Sequence, residues 1–148
     1  MKKLCFFLLA LLIPVIGFAQ EQGVNDHFDQ TYYLVGDFNG WSAQDQYKFS
    51  KQDDGSFVLD FPGNLSGGFK VNNGAWDDNY TCGSKDNKIL TVGEVYSLGR
   101  PGGNLTMNTS VDNPHIVFYP DKNNPTLLLT AGGTVDPVDP TSWRRSLA

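Results

Sequence analysis

Turn-forming residues punctuate this chain so densely that a long helix has no room. Between residues 31 and 130, Gly, Asn, Asp or Pro interrupts nearly every window of ten residues. These residues break helices and supply the bent or left-handed backbone of tight turns. The short runs between them are rich in β-branched and aromatic residues, which fit a pleated, half-buried surface. The expected strands are 32–35, 47–50, 57–61, 69–72, 89–92, 95–98, 104–107, 116–119 and 127–130. Asp54-Gly55, Pro62-Gly63, Asn73-Gly74, Gly102-Gly103 and Asn123-Asn124-Pro125 separate several of them, each with recognised turn chemistry. About nine short strands at this spacing predict an all-β domain built as a two-sheet β-sandwich.

Alternation assigns faces, because successive side chains of a strand point to opposite sides. In Phe57-Val58-Leu59-Asp60-Phe61 the odd positions are large and apolar and belong to the core. The same rule buries Phe69 and Val71 and turns Lys70 and Asn72 outward. It buries Leu105 and Met107 and turns Asn104 and Thr106 outward. Residues 32–35 are apolar on both faces, as expected of a central strand between the core and a covered surface.

The ends differ in character. Lys2 and Lys3, an apolar run from Leu4 to Phe18 and the small residues around Ala19 read as a signal peptide over 1–20. Its apolar run of about fifteen residues is shorter than the roughly twenty that span a bilayer. The expected localisation is therefore secreted, periplasmic or cell-surface, with no membrane-spanning segment after cleavage. Residues 21–30 are expected as a flexible arm, disordered or loosely docked, 31–130 as the folded module, and 131–148 as a Pro/Gly linker with a truncated tail containing Trp143. Without residues 1–20, nine Lys and Arg remain against 16 Asp and Glu, a net charge of about −7. So acidic a surface excludes nucleic acid as the expected partner, since phosphate contacts need clustered Lys and Arg. Cys82 is the only cysteine beyond the signal, so no intrachain disulfide is expected there, and it reads as a small buried or half-buried residue.

No catalytic constellation is legible. A glycosidase needs two carboxyls across a cleft, one kept protonated by an apolar pocket. Asp53-Asp54-Gly55 reads instead as a hairpin turn, and Asp77-Asp78 lies in a polar loop. His27 and His115 stand apart, without zinc-ligand spacing, and Asp77-Asp78-Asn79 lacks the alternating spacing of a calcium loop. The expectation is no enzyme, no cofactor and no metal.

The residues that suggest chemistry lie in two segments. Tyr33-Leu34-Val35-Gly36-Asp37-Phe38-Asn39-Gly40-Trp41 runs from a strand into a turn that ends on an indole, and Phe69-Lys70-Val71-Asn72-Asn73-Gly74-Ala75-Trp76 does the same with an outward lysine. An indole is a rigid apolar plate, an ammonium offers three donors, and an amide both donates and accepts. Such a set suits a ligand with apolar faces and a rim of hydroxyls, which describes a sugar. The order of these pieces resembles the starch- and glycogen-binding β-sandwich modules of branching enzymes, of the glycogen-sensing subunit of the AMP-activated kinase, and of bacterial surface starch-binding proteins. The resemblance covers about residues 31–108 and rests on Val-Gly-Asp-Phe-Asn-Gly-Trp and on the Lys…Trp pair. It implies an immunoglobulin-like β-sandwich that binds α-glucan (starch, glycogen or a maltooligosaccharide) without catalysis, in company with neighbouring glucan-degradation proteins. It further implies Trp41 and Trp76 as stacking platforms and Lys70 and Asn104 as hydroxyl partners. The alternative expectation is a spacer or protein-interaction sandwich with no sugar ligand.

Overall fold

The computed structural model describes residues 22–132. The expected signal segment and most of the expected linker, with Trp143, lie outside the described residues. Twelve strands follow in order: β1 (Tyr33–Gly36), β2 (Ser50–Lys51), β3 (Phe57–Asp60), β4 (Asn64–Leu65), β5 (Phe69–Asn72), β6 (Gly83–Ser84), β7 (Ile89–Leu90), β8 (Val95–Gly99), β9 (Thr106–Met107), β10 (Val111–Asp112), β11 (His115–Tyr119) and β12 (Thr126–Thr130). Six form one antiparallel sheet in the order β2-β3-β11-β12-β8-β6. Facing it, β1 pairs with β5, a bridge from Phe69 to Leu105 joins β5 to the chain entering β9, and β9 runs parallel to β7. The protein is an all-β sandwich.

Two short stretches carry the chain between layers. Lys48 bridges Tyr33 of β1, and two residues later Ser50 pairs with Val58 of β3. On the other side Cys82 bridges Val71 of β5, while Gly83 pairs with Gly99 of β8. This crossing replaces the strand expected at 47–50: Asp45–Tyr47 is a 3-10 turn, and pairing with β3 begins only at Ser50.

Alternation holds in the core. Phe57, Leu59, Phe61, Phe69, Val71 and Leu105 are all buried, and Tyr32 meets Phe57 and Phe118 edge-on at 5.0 and 4.9 Å. Each such side chain contributes about 1.5–3 kcal/mol by leaving water. Cys82 lies within this core as a free thiol, and burial pushes its pKa up to about 11.

Two expectations need correction. Asn72 shares the outer face with Tyr33 as alternation requires, yet it is buried, because the following turn folds back and Gly74 N–H donates to its Oδ1 (3.0 Å). The arm expected over 21–30 as disordered or loosely docked is firmly seated through residues 26–30. Gln22–Asp29 is a 3-10 helix, His27 is buried, and the Tyr32 hydroxyl donates to the His27 carbonyl (2.7 Å).

Candidate functional site

The β1–β5 pair is the base of the candidate site. Its register sets Val35 opposite Lys70 and Gly36 opposite Phe69. The strands are antiparallel, so the turns following their C-terminal ends leave from opposite ends of the pair. The rings of Trp41 and Trp76 nevertheless lie 6.2 Å apart, tilted by 42°. Both turns therefore fold back across the outer face.

The first turn is over-determined. Asn39 Oδ1 accepts from Gly36 N–H (2.9 Å), while Asn39 Nδ2 donates to the carbonyls of Leu34 (3.2 Å) and Ser42 (2.9 Å). Trp41 N–H donates to the Gly36 carbonyl (2.9 Å). Gly40 and Trp41 both take left-handed conformations, with φ of 66° and 61°. Glycine does so freely, but a tryptophan there costs on the order of 1–3 kcal/mol, a strain that tends to gather where a side chain must be aimed.

Asp37 then sets the indole. Its Oδ1 accepts from Trp41 Nε1 (3.0 Å) and its Oδ2 from Gly68 N–H (2.8 Å), while its own N–H donates to the Gly68 carbonyl (3.0 Å). Room for this carboxylate comes from Gly67, where φ is +77° and an added Cβ would sit 2.6 Å from Asp37 Oδ2.

Lys70 projects from the outer face, half-buried, with Nζ donating to the Gly102 carbonyl (2.7 Å). An ammonium has three donors, so two N–H groups remain beyond that bond. Asn104 is exposed beside Gly68 and makes no hydrogen bond among the described residues. Trp76 is 55% exposed, the most exposed large apolar side chain among the described residues.

Trp41, Lys70, Trp76, Asn104 and Asp37 together line one open surface cleft of about 380 Å³. The structure thus brings together all four residues anticipated from the sequence and adds Asp37. Asp37 lies within the Gly-Asp-Phe-Asn-Gly-Trp turn, but only its contact with Gly68 across the sheet reveals its task. One carboxylate of each acidic pair serves a turn: Asp54 Oδ1 accepts from Ser56 N–H (2.9 Å), and Asp77 Oδ1 from Asn79 N–H (2.9 Å). Among the described residues no group of three or more His, Cys, Asp or Glu could hold a metal ion.

No protein-family model matches the chain, and no curated protein matches it.

Proposed function

We propose that the protein is an exported, non-catalytic binder of α-glucan, acting through the cleft between Trp41 and Trp76. The observation that carries this reading is the convergence of two indoles, an ammonium with spare donors and an unpartnered amide from positions spread over residues 41 to 104. Apolar plates stack on the CH faces of pyranose rings, while Lys70 and Asn104 hydrogen-bond to hydroxyls. The 42° tilt between the rings favours a curved chain such as an α-1,4-glucan over a flat ribbon. Asp37 keeps one indole in register with the other.

An open cleft leaves much of the sugar in water and association carries its usual entropic cost. The expected dissociation constant is therefore on the order of 10 µM to 1 mM for oligosaccharides long enough to span both rings. Retention on insoluble starch, with calorimetry against maltoheptaose and glucose, tests the reading. Maltoheptaose should bind more tightly than glucose, and the affinity should hardly change with salt, because the ligand is uncharged. Failure to be retained on starch overturns the proposal. Competition by sulfated glycans together with a steep salt dependence overturns it as well, since the ligand is then an anion.

A further inference from the structure

The loop that presents Trp76 is held from within by short-range hydrogen bonds that bend its two ends. The Trp76 indole makes no hydrogen bond among the described residues, and the one ring it meets there is Trp41. Bonds at Asn72, Asn73 and Asp77 bend the loop locally. The hydrogen bonds that reach it from distant sequence come, among the described residues, from residues 26–30. At one end, Asn73 Nδ2 donates to Gln30 Oε1 (3.1 Å). At the other, His27 Nε2 bonds the Asn79 carbonyl (3.0 Å) and the Tyr80 hydroxyl donates to the Asp26 carboxylate. The His27 and Tyr80 rings also pack at 5.1 Å. The segment is itself fastened to the domain by the Tyr32 hydroxyl on the His27 carbonyl (2.7 Å) and by Phe28 edge-on to Tyr119 at 5.1 Å.

We infer that Asp26, His27 and Gln30 are positioning residues for Trp76, clamping the 73–81 loop near both ends and setting ligand affinity although none of them lines the cleft. A platform on an unclamped loop must be ordered when ligand arrives, and that ordering subtracts from binding. The clamp removes the cost in advance. This inference rests on the reading of Trp76 as a ligand platform.

The test uses the full chain with Asp26→Ala/Gln30→Ala, which changes two half-buried side chains outside the core. Tyr80→Phe is a second variant that removes one hydroxyl and keeps the ring against His27. Maltoheptaose affinity is measured in the native background and in Trp76→Ala, alongside amide hydrogen exchange over residues 73–81. Expected are a loss of fivefold or more when Trp76 is present, little further loss in Trp76→Ala, and faster exchange over 73–81. Equal losses in both backgrounds overturn the inference, because the segment then supports the whole fold rather than this platform. Unchanged affinity with unchanged exchange overturns it too. If the unmutated chain binds no maltoheptaose, the glucan reading fails separately, and exchange over 73–81 still decides whether the segment holds the loop. Should the double variant not fold, Tyr80→Phe makes the same comparison.

Discussion

Asp37→Asn isolates the orientation of one platform from its presence. The carboxylate accepts two hydrogen bonds at once, from Gly68 N–H at 2.8 Å and from Trp41 Nε1 at 3.0 Å. Asparagine has the same shape but one acceptor oxygen, so an NH2 group must face one of the two N–H donors. The Gly68 bond is part-buried and the Trp41 bond exposed, so the oxygen should stay on Gly68 and the indole should be released. A hydrogen bond to a charged group contributes about 1.5–3 kcal/mol. Water replaces part of the exposed one, so about 1 kcal/mol of orientation, or roughly fivefold in maltoheptaose affinity, should be lost. Calorimetry on Asp37→Asn, Trp41→Phe and the double variant completes a cycle. Phenylalanine has no indole N–H, so Asp37→Asn should cost little further affinity in that background. An undiminished effect there, or none in the native background, refutes the idea that Asp37 works by orienting Trp41.

Trp76→Ala should weaken starch retention by at least tenfold, as expected for a stacked aromatic at a binding centre, with only a small fall in Tm because the side chain is 55% exposed; loss of the thermal transition would assign Trp76 to the fold. Lys70→Met keeps the stem and removes the donors, so affinity should fall by about 0.5–1.5 kcal/mol; unchanged affinity would leave Lys70 as a brace for the Gly102 carbonyl. Stability should also fall in acid because of His27, whose pKa is held below 6.5 by burial first and by Arg100 and Lys122 after it, against the opposing bond to Asn79 and the charge of Asp26. The unfolded chain takes up that proton more readily than the folded one, so this contribution is present above about pH 6.5 and is lost as pH falls toward the native value. His27→Gln should flatten the dependence, and parallel Tm curves for the two proteins from about pH 7.5 to 5 would rule it out.

What the sequence determined by itself is local. Alternation in Phe57-Val58-Leu59-Asp60-Phe61 and Phe69-Lys70-Val71 identified core positions, because a period of two needs only neighbouring residues to be read. The Asp54-Gly55 hairpin was equally legible from its turn chemistry. Trp41, Lys70, Trp76 and Asn104 could be joined into one site only through a family resemblance; strand faces and turns name them singly and do not show them meeting in one cleft. That meeting depends on β1 pairing with β5 and on two turns folding back over the pair, choices made by edges far apart in the chain. The crossing at 48–50 and the parallel β7–β9 pair escaped the sequence for the same reason. Asn72 looked solvent-facing until the next turn covered it. Asp37 looked like one more turn residue until Gly68 met its second oxygen. The polar run around His27 looked loosely held at most until Tyr32, Asn79 and Tyr80 received it. A polar side chain carries no mark of its distant partner, so only the packed chain decides which ones are satisfied inside, and which, like Asn104, stay unpartnered at the surface.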